Sequence, residues 1–125
     1  YDGGTHLPDL TLIRPVFSQH GEDCLGDAVV RAHHADVGGP NPGSMSSQRD
    51  IYGGGLRLPL IRIVEQERWN EELRAVLLAN MRSPSDREGD LLAQQAACRA
   101  GEEGLRRLFD GWAQRDMTRW RAGLS

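Results

Sequence analysis

The feature that most narrows what this chain can fold into is a change of character along its length. All four histidines, ten of the fifteen glycines and four of the six prolines lie before residue 59; from residue 68 onward Arg, Glu, Ala and Leu dominate. Apolar residues upstream come in short β-forming runs, and downstream they recur at helical spacing. The expectation is therefore an α+β chain. Residues 1–66 form a strand-rich half with a hairpin and site loops, and residues 67–125 form two helices.

Individual signals sharpen this outline. Leu10 to Phe17 reads as a strand with Pro15 at its end or on an edge, because proline cannot donate to a ladder. Ser18 to Asp23 reads as a turn and Leu25 to Ala32 as the returning strand, which together make an antiparallel hairpin. Residues 37–55 are a Gly/Pro/Ser stretch long enough to suggest a binding loop or an unordered one. Leu58 to Val64 is a further strand candidate. Asn70 caps a helix whose first turn carries Glu71 and Glu72, with Leu73, Val76, Leu77 and Met81 on one face. Ser83-Pro84 starts a second helix expected to run to about Trp112. Gly101 and Gly104 interrupt it, each at a cost of roughly 1 kcal/mol relative to Ala. Leu105, Leu108, Phe109 and Trp112 form an apolar stripe expected to leave an exposed patch over 105–120, including Trp112 or Trp120.

Composition removes several classes of function. Net charge is −3 with a pI near 5.8, which argues against nucleic acid as a partner. All 15 basic residues are Arg, so Schiff-base chemistry and a P-loop lysine are excluded. No apolar stretch approaches a membrane span, and no secretory leader is expected. Cys24 and Cys98 form no C-x-x-C pair and read as two reduced thiols of a cytoplasmic protein. The chain opens at Tyr1, already inside a polar turn motif, and is read as an internal fragment.

The residues able to carry chemistry gather upstream, in Gly3-Gly4-Thr5-His6-Leu7-Pro8-Asp9, in Arg31-Ala32-His33-His34-Ala35-Asp36-Val37-Gly38-Gly39 and in Pro42-Gly43-Ser44-Met45. The first two flank the hairpin, so folding it brings His6 or Asp9 toward His33, His34 and Asp36. Two or three imidazoles with a carboxylate suit a divalent transition metal. Two readings stay open from the residues: a metal site, or turn-capping and packing roles. Adjacent strand residues point to opposite faces, so one of His33 and His34 is expected at such a site. His20, in the turn, reads as solvent-exposed. Gly38-Gly39 and Gly53-Gly54-Gly55 follow no Walker pattern. Ser44 has no sequence-adjacent base and reads as a hydrogen-bond donor, not a nucleophile.

These motifs resemble those of the hydantoinase B/oxoprolinase family. The likeness continues through Ile51-Tyr52, Gly55-Leu56-Arg57-Leu58-Pro59, Leu78-Ala79-Asn80-Met81-Arg82, Arg87-Glu88-Gly89-Asp90-Leu91 and Ala93-Gln94-Gln95-Ala96-Ala97, in order along essentially the whole chain. Family subunits are several times longer, so the chain is expected to be an interior part of one, with no turnover by itself. The resemblance implies ATP-dependent hydrolysis of a cyclic amide, such as a hydantoin or 5-oxoproline. A hydantoinase A-type partner would use the ATP in a hetero-oligomer. A subunit of an acetone- or acetophenone-type carboxylase, and a non-catalytic remnant packed on the partner, are the alternatives. It further implies a zinc, manganese or iron ion, with His6, His33 and Asp36 as metal ligands and His34 and Asp9 as catalytic residues. Gly43, Ser44 and Arg57 would be the substrate contacts. Gly53-Gly54 departs from the polar or acidic pair that many relatives carry, and the turn from Ser18 to Asp27 departs from their commoner short form.

Overall fold

The computed structural model describes residues 6–18, 23–44, 47 and 49–113, with the backbone alone at 44 and 111–113. The elements are β1 (Asp9–Phe17), β2 (Cys24–His33), β3 (Val64–Glu65), β4 (Arg68–Trp69), α1 (Glu71–Ala79) and α2 (Pro84–Ala113), with short 3₁₀ turns at Pro42–Ser44 and Ile51–Gly54. β1 and β2 form a two-stranded sheet. Its sense is antiparallel: the Ser18 amide donates to Asp23 O (2.9 Å) at one end and the His34 amide to Pro8 O (2.8 Å) at the other. A hairpin followed by two helices is the α+β arrangement the sequence led us to expect. Among the described residues no helix is long and apolar enough to cross a membrane.

By their contacts the residues fall into two compact units, Tyr1–Leu10 with Arg31–Ala93, and Thr11–Val30 with Gln94–Ser125. The core of the first is Val37, Leu77 and Met81, with Leu7, Leu10, Leu56, Leu58, Ile63 and Leu73 packed on it. Burying side chains of this kind stabilises by about 1.5–3 kcal/mol each. The Asn70 side chain caps α1 by accepting from Leu73 N at 3.0 Å. Val76, expected on the buried face, is 56% exposed, so the stripe that packs is narrower than the spacing suggested. Ser83, at φ 51°, turns the chain between the helices, and its carbonyl accepts from Asp86 N and Arg87 N. Arg74 bridges Glu71 on its own helix and Glu88 on α2.

The two ends of the Gly/Pro/Ser stretch approach other backbone closely. At Gly38 (φ 89°) a Cβ would sit 2.8 Å from Asn80 O, and at Gly55 (φ 118°) 2.8 Å from Val37 O. No L side chain fits either place, so these glycines serve close backbone approach. The strand expected over Leu58 to Val64 is replaced by β3, which covers Val64–Glu65 alone. Pro59 offers no N–H to a ladder, and Leu60 lies 94% exposed. β3 instead turns through Gln66 (φ 48°) and Glu67 (φ 65°) into β4, pairing Val64 with Trp69. Positive φ at both central residues marks a type I′ hairpin turn.

In the second unit the residues of β1 that face inward meet α2. Val16 and Cys98 are buried, and Cys98 Sγ lies 3.7 Å from Leu12 O and 3.8 Å from Ala28 O. A Cβ at Gly101 would come within 3.1 Å of the Ala28 methyl, which explains a glycine inside this helix. Glu102 accepts from Arg14 Nε and pairs with Arg106 at 2.8 Å, while Arg106 Nε donates to Phe17 O. Both thiols are free, Cys24 exposed and Cys98 buried. Of the expected apolar patch, Leu108 is half exposed and Leu105 and Phe109 are half-buried. The Trp112 side chain and Trp120 lie outside the described residues, as do His20 and Tyr1 to Thr5.

Candidate metal centre

The site starts from a turn. The Asp9 amide donates to His6 O (3.2 Å), so the His-x-x-Asp motif folds back on itself as β1 begins. Pro8 O then takes the His34 amide, which sets this turn against the end of β2. On β2, Arg31 and His33 are two residues apart and share one face, where both are exposed. Both reach Asp9. His33 Nδ1 lies 3.0 Å from Asp9 Oδ1, and Arg31 Nη2 donates to Asp9 Oδ2 at 2.5 Å. The His6 ring stacks on His33 with centroids 5.1 Å apart and planes 9° from parallel. The Arg31 guanidinium, and after it the His33 hydrogen bond, hold the Asp9 carboxyl below its ordinary range, against a smaller opposing effect of desolvation.

His6, Asp9 and His33 thus offer three donor atoms within 4.8 Å of one another. Ligands about 2.1 Å from one ion cannot lie more than about 4.2 Å apart, so small side-chain rotations close this set around an ion. Two imidazoles with one carboxylate are donors that suit zinc, manganese or iron. In this set Asp9, expected as a catalytic residue, stands where Asp36 was expected as a ligand, and the three donors would suit such an ion.

Other expected site residues go elsewhere. Asp36, expected as a ligand, is 4% exposed and points to the link between the helices. Its Oδ2 accepts from Arg82 N (2.5 Å) and its Oδ1 from Arg82 Nη1 (2.7 Å), while Arg82 Nη2 donates to Gly39 O (2.8 Å). A carboxylate so committed anchors a loop, and we correct its assignment accordingly. His34, expected as catalytic, has no exposed surface, because it follows His33 on the opposite face. Arg57 stacks over the exposed Tyr52 ring, its Cζ 5.5 Å from the centroid. Gly43 sits at φ 68° in its 3₁₀ turn; the Ser44 side chain lies outside the described residues. Sequence reasoning gave no role to Arg31 or Arg82. The signal for Arg31 was its i, i+2 spacing to His33 on a strand; Arg82 lies 46 residues from Asp36 and had none.

The hydantoinase B/oxoprolinase family matches residues 1–121, and the chain belongs to that family. It is 37% identical over 108 residues to the caprolactamase subunit beta of Pseudomonas jessenii, covering 86% of this chain and 18% of that subunit. It is 36% identical over 109 residues to a 5-oxoprolinase of Dictyostelium discoideum, covering 86% of this chain and 8% of that protein. The crystal structure of the ATP-dependent caprolactamase from P. jessenii superposes with a TM-score of 0.78 at 35% identity, over 95% of this chain and 20% of that one. The chain thus spans about a fifth or less of the length of these relatives.

Proposed function

We propose that this chain carries the metal centre of a hydantoinase B-type subunit, and that the subunit hydrolyses a C–N bond in a cyclic amide of the hydantoin or 5-oxoproline type. A hydantoinase A-type partner uses the ATP. The observation that carries this reading is the convergence of His6, Asp9 and His33 at the open end of the hairpin. The named relatives, a caprolactamase subunit and a 5-oxoprolinase, support the substrate class. A zinc, manganese or iron ion at these donors would act as a Lewis acid, polarising a carbonyl and making water a better nucleophile near neutral pH. Asp9 supplies the negative charge of the site, and Arg31 balances it. Arg57, exposed and paired with the Tyr52 ring, remains the side chain offered for substrate contact, with Gly43 and Ser44 nearby in sequence.

The test assembles the subunit containing this chain with its A-type partner. ATP and a panel of 5-oxoproline, hydantoin and caprolactam are supplied, and ring opening is followed alongside metal content. Turnover that falls together with metal in Asp9→Asn and His33→Ala supports the reading. Full turnover by metal-free protein would sink it, and carboxylation of acetone with added bicarbonate would reassign the reaction.

A further inference from the structure

We infer that Arg31 is the positioning residue of this centre: it holds one oxygen of Asp9 so that the carboxylate presents only its other oxygen to the ion. This rests on the metal reading above and concerns how the site is built. Arg31 and His33 occupy one face of β2, two residues apart, and straddle the first residue of β1. Each takes a different oxygen of the same carboxylate, Arg31 Oδ2 at 2.5 Å and His33 Oδ1 at 3.0 Å. Two donors each about 2.1 Å from one ion lie within about 4.2 Å of each other. His33 Nδ1 and Asp9 Oδ1, 3.0 Å apart, are close enough that both would reach one ion.

Oδ2 is the oxygen that a two-oxygen grip would need, and the guanidinium occupies it. The Asp9 side chain is about one-fifth exposed and Arg31 more than half exposed, and the hydrogen bonds that orient the carboxylate come from Arg31 and His33. What fixes it is this pair of bonds. Partners that orient a ligand in this way commonly change metal affinity 10–100-fold when lost. An arginine that merely sat near the ion would do the opposite, since removing its charge favours a cation.

The experiment titrates Zn²⁺ and Co²⁺ into the full chain and into Arg31→Met and Arg31→Lys, with melting curves for all three. The exposed position of Arg31 should leave melting unchanged. Arg31→Met is expected to weaken both ions about 10–100-fold and to alter the Co²⁺ visible spectrum as Asp9 becomes free to turn. Arg31→Lys keeps a charged donor without the planar fork and is expected to fall between the two. Binding by Arg31→Met as tight as wild type or tighter, with an unchanged spectrum, overturns the inference and leaves the metal reading standing. A wild-type chain that takes up neither ion overturns both.

Discussion

Two carboxylate–arginine pairs lie in the same unit and do opposite things. At the mouth of the hairpin Asp9 pairs with Arg31, both reachable by solvent, and shares its second oxygen with an imidazole. At the link between α1 and α2, Asp36 is buried and both its oxygens go to Arg82, which also ties down Gly39 O. The residue types are the same, and burial decides the role. A buried carboxylate whose acceptors are all taken holds the fold together. One at an open edge, bonded to groups that can turn away, would be available to an ion under the reading proposed above.

The comparison can be broken by exchanging the readouts. The largest effect on stability is expected at the buried pair. Asp36→Ala removes two hydrogen bonds from Arg82 and frees the Gly38-Gly39 loop. It should cost roughly 2–3 kcal/mol, kept below the range for fully buried pairs because Arg82 is half exposed. Urea denaturation checks this, and Zn²⁺ stoichiometry on the folded fraction should be unchanged. Asp9→Asn should behave in the reverse way, losing metal affinity while the denaturation midpoint stays where it was. If Asp9→Asn unfolds the chain and Asp36→Ala loses metal, the two assignments must be exchanged.

Next in size is an ionic contact in the other unit. Glu102 is about one-eighth exposed and serves both Arg14 and Arg106. Glu102→Gln is expected to cost about 1–2 kcal/mol, between the values for exposed and for fully buried pairs. Measured against Asp36→Ala, it separates a carboxylate that holds a backbone amide from one bonded to side chains alone.

How far the sequence foretold this can be seen residue by residue. The ends of the hairpin, the Asn70 cap and the Ser83-Pro84 restart were legible because each depends on a local preference that neighbours do not override. The meeting of His6 with His33 followed from hairpin topology alone. Which histidine faces outward was not legible, since a one-residue change of register reverses every side chain of a strand. The role of Asp36 was hidden because its partner lies 46 residues away, on an element with its own local logic. The short β3–β4 turn escaped notice because Gln66 and Glu67 take positive φ without the Asn or Gly that usually announces it.

The smallest effect concerns the two thiols. Burial raises the Cys98 thiol above its ordinary range. An unfolded chain ionises this group near its usual value of about 8.5, whereas the fold keeps it protonated to higher pH. Its contribution to stability is thus fully present below about pH 8.5 and declines as pH rises through the raised value. Iodoacetamide at pH 8 should modify the exposed Cys24 readily and Cys98 only as the chain unfolds. Equal labelling rates would contradict the packing of α2 over Leu12 and Ala28.

Whether His6, Asp9 and His33 hold one ion is decided by calorimetric titration of the chain with Zn²⁺. One ion per chain is expected, with binding lost or weakened at least about tenfold when any one of the three is replaced by Ala. No binding, or binding that survives all three replacements, would contradict it.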